Sequence, residues 1–230
     1  MRDMRFFGHR GAAGLALENS RASVLASLDH DLEVIEFDMH RTKDGKLVII
    51  HDHTTRRVAA KRVSVHELTL AELKQIPLKN GQPLLDIDEL FTIIGDQKPI
   101  MADIKDSNCG QALCDALDRH PEVTVHVTSF EHDNIRTIRA LRPEIKTYVL
   151  EHFSPFEIIS SARGLRATGV SLNMWLMNPL TYHLARRHGL ELLAYTINQP
   201  WLMRFFKKLY PGITLYTDHP ERIPPDLKQS

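Results

Sequence analysis

The sequence predicts an α/β fold, namely a (β/α)8 TIM-type barrel with a small insertion after the hairpin of its second strand. Along the 230 residues, short runs rich in β-branched and aromatic residues alternate with amphipathic helical stretches, a pattern typical of parallel sheets. Eight such runs are present, most of them separated by helix-length segments, which favours a closed barrel over an open, doubly wound sheet. One barrel of this length is ordinary, so residues 1–230 are interpreted as a single domain.

The predicted barrel strands leave room for a helix between most neighbours. They cover residues 4–9, 33–39, 99–105, 123–129, 146–151, 169–173, 191–197 and 213–218. Helical patterns between them include ENSRASVLASLDH (18–30), GQALCDALDRH (110–120), HDNIRTIRALR (132–142), NPLTYHLARRHG (178–189) and QPWLMRFFKKLY (199–210). Their amphipathic character indicates helices with one face packed on the sheet.

A ninth β-like run, KLVIIHD (46–52), does not fit the count of barrel strands. The preceding dipeptide Asp44-Gly45 signals a two-residue hairpin turn, so the run should return antiparallel to the second strand. The register that this turn implies places His51 opposite Asp38. The hairpin would therefore bring a histidine to the carboxylates at the barrel mouth.

The stretch 46–98 is interpreted as this return strand followed by an insertion or cap region before the third barrel strand. A long excursion of this kind in a compact domain is usually functional. Four apolar residues within it either line a groove for an acyl chain or form the packing face of a helix: Leu68, Leu70, Leu73 and Ile76.

Composition excludes several classes of partner. The 29 Lys and Arg residues balance the 29 Asp and Glu residues, and the isoelectric point is about 7.2, so no global charge favours nucleic acid or an anionic membrane. Cys109 and Cys114 lie five apart in a helical pattern, which suits reduced thiols. No signal-like segment opens the chain and no apolar run approaches the roughly 18 residues of a membrane span. We expect a cytoplasmic protein without stable membrane insertion; its oligomeric state is left open.

Polar side chains follow the predicted strands at the carboxyl ends, where active sites of parallel barrels form. In chain order they are His9 and Arg10, Glu36 and Asp38, Asp103 and Lys105, Ser129, Asn173, Tyr195 to Asn198, and Asp218. Because these ends meet at one face of a barrel, the sequence predicts a polar ring there.

Three carboxylates of this ring suit a metal ion. Glu36 and Asp38 are two apart on one strand and so point to the same face, and Asp103 takes the same position on the next barrel strand. Oxygen ligands without cysteine favour a hard cation. We therefore predict one divalent cation, Mg²⁺ or Ca²⁺, held by these residues.

Two cations and two histidines complete the predicted chemistry. Arg10 and Lys105 can donate to a phosphoryl group beside the metal, and His9 and His51 can exchange protons near neutral pH. The roles of His53 and His219 are left open. Seven other histidines are expected to be surface or packing residues: His40, His66, His120, His126, His132, His183 and His188. Tyr195 and Trp175 are either a substrate wall or ordinary core and rim aromatics.

The stretch HRG…ENS…EFDMHRTKDGKLVIIHD resembles the signature of the glycerophosphodiester phosphodiesterase family, and the similarity extends through SVHELTLAEL, VTSF, AYTIN and YTDHP. The resemblance implies a (β/α)8 barrel that hydrolyses glycerophosphodiesters to sn-glycerol 3-phosphate and an alcohol. It matches His9 and His51 to the family's catalytic pair, Arg10 and Lys105 to its phosphate contacts, Glu36 and Asp38 to two metal ligands, and Asn19 to an asparagine at the rim of the site.

The chain departs from the family's usual pattern at three places. Leu17 precedes Glu18-Asn19 where the family usually has proline, and Tyr195 stands in place of tryptophan. Asp103 occupies the position of the third metal ligand, which is usually glutamate. A shorter carboxylate is better tolerated by flexible Ca²⁺ coordination than by the near-octahedral bonds of Mg²⁺.

The predicted activity is a metal-dependent phosphodiester hydrolysis with two histidines as general acid and base. The sequence leaves open which histidine has which role, and whether water attacks directly or a cyclic phosphate forms first. Two alternatives remain: a phosphodiesterase similar to lysophospholipase D or sphingomyelinase D, and a non-catalytic phosphodiester-binding barrel.

Overall fold

The computed structural model describes residues 4–150 and 154–228, and these form the predicted barrel. The strands are β1 (Arg5–Gly8), β2 (Val34–Arg41), β3 (Leu47–Ile49), β4 (Ile100–Ile104), β5 (Val125–Ser129), β6 (Thr147–Leu150), β7 (Gly169–Asn173), β8 (Glu191–Tyr195) and β9 (Thr214–Thr217). All neighbours pair in parallel except β2 and β3, and β1 closes the barrel by pairing with both β2 and β9. Residue 151, the expected last residue of the fifth barrel strand, lies outside the described residues.

The helices are α1 (Arg21–Leu28), α2 (Leu70–Lys74), α3 (Ile87–Ile94), α4 (Gly110–Arg119), α5 (His132–Leu141), α6 (Pro155–Gly164), α7 (Pro179–Arg187) and α8 (Pro200–Leu209). Local chemistry sets several of their starts. Helix α1 begins three residues later than the sequence pattern suggests, because Ser20 and Ser23 form a capping box at its N-terminus. Helices α6, α7 and α8 each have proline in the first turn, where its missing N–H costs nothing.

The inside of the barrel is filled by large side chains from six strands: Phe7, Val34, Met101, Tyr148, Leu193 and Tyr216. Successive side chains of a strand point to opposite faces of the sheet, so residues two or four positions further along point to the same face. Here that face leads into the barrel mouth. This places Glu36 and Asp38 above Val34, and Asp103 above Met101. The remaining apolar residues of the strands pack outward against the helices.

The predicted hairpin forms, but its register differs by one residue from the expected one. His40 pairs with Val48, and the N–H of Ile50 donates to the carbonyl of Asp38 at 3.0 Å. The loop has three residues rather than two, because Gly45 takes φ +78° and donates to Thr42 at 2.9 Å, the geometry of a turn with a glycine bulge. His51 therefore does not stand opposite Asp38; it lies beyond the end of β3.

The insertion has a small core of its own. Val48 and Ile50 from the hairpin pack there with the buried residues Leu73 and Ile76, while Leu68 and Leu70 lie partly buried against them. Leu68, Leu70, Leu73 and Ile76 thus form a packing face and not a groove. Among the described residues, no helix is long and apolar enough to cross a membrane.

Candidate active site

A cavity of about 380 Å³ lies at the carboxyl ends of the strands. The seven residues predicted to be catalytic, phosphate-binding or metal-ligating all line it, together with Tyr195: His9, Arg10, Glu36, Asp38, His51, Asp103 and Lys105. Thr128, Phe130, Leu150, Ser171, Asn173, Leu176, Thr196 and Tyr216 complete its wall. Residues from both ends of the chain thus meet in one place, because the barrel closes between β1 and β9.

Three buried carboxylates form the floor of one side of this cavity. Glu36, Asp38 and Asp103 each offer an oxygen, and these oxygens all lie within 4.8 Å of one another. Asp38 and Asp103 are neighbours across the β2–β4 pairing. Lys105 Nζ bridges them, at 2.8 Å from Asp38 Oδ1 and 2.5 Å from Asp103 Oδ2.

The electrostatics of the cluster show a shortage of positive charge. Burial and the charges of Asp38 and Asp103 raise the pKa of Glu36 well above its usual value. Burial likewise raises the pKa of Asp103, against the opposing charge of Lys105. Burial would also raise the pKa of Asp38, but the charges of Lys105 and Arg10 outweigh it and hold that pKa well below the usual range.

The donor set fits a divalent cation. Asp103 Oδ1 is buried and has no hydrogen-bond partner among the described residues, which leaves it free as a ligand. Among the described residues, two cationic residues, Arg10 and Lys105, contact these three carboxylates, so a further positive charge would offset the excess. The donors are oxygens alone, which suits Mg²⁺ or Ca²⁺ better than softer metals.

Arg10 lies just after β1, and its backbone has a left-handed conformation. It has φ +52°, and its N–H donates to Glu36 Oε2 at 2.7 Å. Its guanidinium donates to Glu18 Oε1 at 2.9 Å, while Nε lies 3.3 Å from Asp38 Oδ2. The neighbouring Gly8 has no room for a side chain, because an added Cβ would lie 2.6 Å from the carbonyl oxygen of Gly11. Arg10 is therefore fixed toward the cavity.

Both candidate acid–base residues are paired with a carboxylate. His9 Nδ1 lies 2.7 Å from Asp218 Oδ1, and His51 Nδ1 lies 2.7 Å from Asp52 Oδ1. Each contact leaves the Nε2 atom of its imidazole outside the pair. Burial lowers the pKa of His51 below its usual value of 6.5, although Asp38 and Asp52 oppose the shift.

These features coincide with a family match over most of the chain. The model of the glycerophosphoryl diester phosphodiesterase family matches residues 9–222. The chain belongs to this family. As a member it is an enzyme, a phosphodiesterase of glycerophosphodiesters, on the (β/α)8 barrel that its family resemblance implied.

Relatives agree with the family assignment, and a solved structure has the same fold. A glycerophosphodiester phosphodiesterase of Caldanaerobacter subterraneus subsp. tengcongensis is 28% identical, and the match covers 94% of each chain. A mouse lysophospholipase D is 26% identical over 65% of this chain and 43% of its own length. The fold is similar to that of an Oleispira antarctica phosphodiesterase solved with the product sn-glycerol-3-phosphate, with a TM-score of 0.88, 22% identity, and coverage of 95% and 94% of the two chains.

The three residues predicted at the wall or rim of the site lie at different depths in this phosphodiesterase. Asn19 is not at the rim: it is buried, and its Nδ2 donates to Asp38 Oδ2 at 2.8 Å. It therefore orients a carboxylate from behind. Trp175 is 84% exposed and lies outside the main cavity, in a neighbouring groove. Tyr195 does line the cavity, and burial together with the charge of Asp103 raises its pKa to about 12, so its hydroxyl stays protonated.

Sequence reasoning did not assign the groups that hold the reactive side chains. Asp218 was recognised only as one strand-end residue, yet Asn198 Nδ2 fixes its second oxygen at 2.7 Å while the first meets His9. Arg57 from the insertion pairs with both Asp52 and Glu18. The position of Asp218 after β9 was the available signal; the role of Arg57 had none in the sequence.

Proposed function

We propose that the protein hydrolyses glycerophosphodiesters to sn-glycerol 3-phosphate and an alcohol, using one divalent cation, Mg²⁺ or Ca²⁺. The observation that carries this proposal is the convergence, in one cavity, of three buried carboxylates, two cations and two carboxylate-paired histidines. That the related Oleispira antarctica enzyme binds sn-glycerol-3-phosphate supports the same product here.

Glu36, Asp38 and Asp103 would hold the cation. When bound, it supplies Lewis-acid polarisation of a phosphoryl oxygen. Arg10 and Lys105 would donate hydrogen bonds to the phosphoryl oxygens and offset the charge that develops on them. Because both lie next to the carboxylates, a phosphate that they bind would lie beside the metal ligands.

His9 and His51 would move the two protons of the reaction at their Nε2 atoms. His51 is suited to accept a proton, because burial keeps its pKa low and its imidazole neutral at pH 7. Asp218 lies where its charge can stabilise an imidazolium at His9, which suits His9 to protonate the departing alkoxide. A pair of this kind contributes typically about 10²–10⁴-fold to the rate.

The direct test measures release of sn-glycerol 3-phosphate from glycerophosphocholine, glycerophosphoethanolamine and glycerophosphoglycerol, with Mg²⁺, Ca²⁺ or a chelator. We expect release that a chelator abolishes, and a loss of at least about 10²-fold in His9→Ala and His51→Ala. His188→Ala is the matched control, since His188 is exposed and lies at the end of α7. Tight binding of these substrates without turnover under either cation would instead identify a non-catalytic binding barrel.

One observation favours a second substrate class, the lysophospholipids. A groove of about 250 Å³, lined by apolar side chains that include Leu172, Trp175 and Leu176, adjoins the main cavity, and Leu176 lines both. An acyl chain attached to the glycerol could occupy it. If it does, lysophosphatidylcholine is cleaved faster than glycerophosphocholine and Trp175→Ala reverses that preference; equal ratios in both proteins would exclude the groove from substrate binding.

A further inference from the structure

A second cluster of potential metal ligands lies where the barrel meets the insertion. His40 is near the end of β2, Asp106 follows β4, and His66 lies in the short 3-10 turn Val65–Glu67. His40 Nδ1 is 2.9 Å from Asp106 Oδ1, and His66 Nε2 is 3.5 Å from the same oxygen. The three ligand atoms all lie within 4.8 Å of one another.

The outward nitrogens of both imidazoles are held by backbone carbonyls. His40 Nε2 lies 2.9 Å from the carbonyl oxygen of His51, and His66 Nδ1 lies 2.9 Å from that of Arg41. A carbonyl oxygen only accepts, so each of these nitrogens carries a proton. In a neutral imidazole the other nitrogen then presents a lone pair. Two lone pairs therefore face the single oxygen Asp106 Oδ1, which is itself an acceptor.

Three acceptors that face one another require either protonation of an imidazole or a cation bound between them. The second oxygen of the carboxylate, Asp106 Oδ2, already accepts from the N–H of Arg41 at 2.7 Å, which fixes Oδ1 toward the histidines. In the described part of the chain, the ion pairs of Asp106 are with His40 and His66 and not with a Lys or Arg side chain. The positive charge must come from protons on the histidines or from a bound metal ion.

The spacing suits a tetrahedral metal ion. With bonds of about 2.0–2.1 Å, a tetrahedral Zn²⁺ separates its ligand atoms by about 3.3 Å, and the two measured separations of 2.9 and 3.5 Å lie on either side of that value. Zinc-ligating histidines usually donate their remote N–H to a carbonyl or carboxylate, as both imidazoles do here. His66 is 46% exposed at its side chain, so solvent can reach a fourth position.

We propose that His40, His66 and Asp106 bind a divalent transition metal ion of the Zn²⁺ type, separate from the cation of the catalytic carboxylates. Two imidazole nitrogens disfavour Mg²⁺ and Ca²⁺, and the two ligand sets share no residue. The bound ion ties together the end of β2, the insertion, and the residue after Lys105. It thereby positions the backbone of His51, whose carbonyl His40 holds.

The test is a calorimetric titration of the chelator-treated, dialysed full chain with Zn²⁺ in an excess of Mg²⁺, which occupies the catalytic carboxylates. We expect the wild-type chain to bind one equivalent of Zn²⁺ at least about 10²-fold more tightly than His66→Ala does, since even the loss of a residue that supports a ligand costs 10–100-fold. His188→Ala, which replaces an exposed histidine directly after α7, should bind like wild type. Equal affinity and stoichiometry in wild type and His66→Ala would overturn the proposal, as would a wild-type chain that binds no Zn²⁺.

Asp106→Asn provides a second variant that should fold. Its amide oxygen can accept from Arg41, and its NH₂ can then donate to both histidine lone pairs in place of the metal. We expect this variant to keep the melting temperature of the metal-free wild type and to lose the stabilisation that Zn²⁺ adds to the wild type. Co²⁺ gives an independent readout, because wild type should develop visible absorption bands that both variants lack. Identical Co²⁺ spectra in all three proteins would place the metal elsewhere.

Discussion

Replacing Asp218 by asparagine should disable His9 while leaving the fold intact. Asn198 Nδ2 donates to Asp218 Oδ2 at 2.7 Å, so an amide at residue 218 must place its oxygen there. Its NH₂ then points at His9 Nδ1, which now accepts 2.7 Å away in place of donating. Proton transfer at Nε2, in either direction, requires Nδ1 to keep its proton. The substitution therefore removes both the charge and the tautomer that His9 needs.

The magnitude follows from two contributions. Unit charges about 4 Å apart interact by about 4 kcal/mol at an effective dielectric constant of about 20; because the two side chains are 15% and 25% exposed, we take about half of that. Breaking the new amide–imidazole hydrogen bond to restore the correct tautomer costs a further 1–3 kcal/mol, roughly. The sum of about 3–5 kcal/mol corresponds to a loss of about 10²- to 10⁴-fold in kcat/KM.

The assay is sn-glycerol 3-phosphate release from glycerophosphocholine, coupled to its dehydrogenase, across pH 5–9, roughly the range of histidine titration. Asp226→Asn is the matched control, since the Asp226 side chain is 56% exposed and pairs with the exposed Arg204, away from the active site. Equal melting temperatures would establish that both variants fold. If Asp218→Asn keeps kcat/KM within about tenfold of wild type, Asp218 does not position a catalytic histidine and the proposed role of His9 fails.

Three further predictions concern the other site residues. Because burial lowers the pKa of His51, kcat/KM should rise with pH along an acidic limb whose midpoint lies below pH 6.5. The profile is measured under conditions where chemistry limits the rate. A midpoint above pH 6.5 would contradict the role of His51 as base. Lys105→Met leaves Asp38 and Asp103 buried without their bridging ammonium. Urea unfolding at pH 7 should then show a free energy of unfolding lower by about 3–5 kcal/mol, with partial recovery at lower pH as the carboxylates protonate. An unchanged free energy of unfolding would mean that the bridge does not stabilise the fold. Asp103→Asn should raise the Mg²⁺ concentration for half-maximal activity by about tenfold or more, whereas Asp103→Glu should keep activity; an Asn variant with wild-type metal dependence would show that Asp103 is not a ligand.

The sequence by itself determined the barrel and most of the site. Alternating β-rich and amphipathic runs predicted eight parallel strands, because the spacing of apolar residues that buries one face differs between a helix and a strand. Strand-end position then selected Glu36, Asp38, Asp103 and Lys105, since the carboxyl ends of parallel strands necessarily meet at one face. These inferences use only the pattern of residues along the chain and the rule that active sites of parallel barrels form at the carboxyl ends of the strands.

Tertiary structure decided the hairpin register and the position of Asn19, which the pattern of residues along the chain does not encode. The hairpin register changed by one residue because the side chain of Thr42 and the left-handed Gly45 stabilise a three-residue loop. Asn19 became the support of Asp38 instead of a rim residue, because the loop before α1 folds under β2.

The partners of the reactive groups were likewise set by closure of the barrel. His9 and Asp218 are 209 positions apart in the chain and 2.7 Å apart in space, and His40, His66 and Asp106 meet only because the insertion packs on the barrel. The pKa directions of Glu36 and Asp38 are opposite although the residues are two positions apart. Burial and the placement of Lys105 and Arg10 decide those directions, and both exist only in the folded chain.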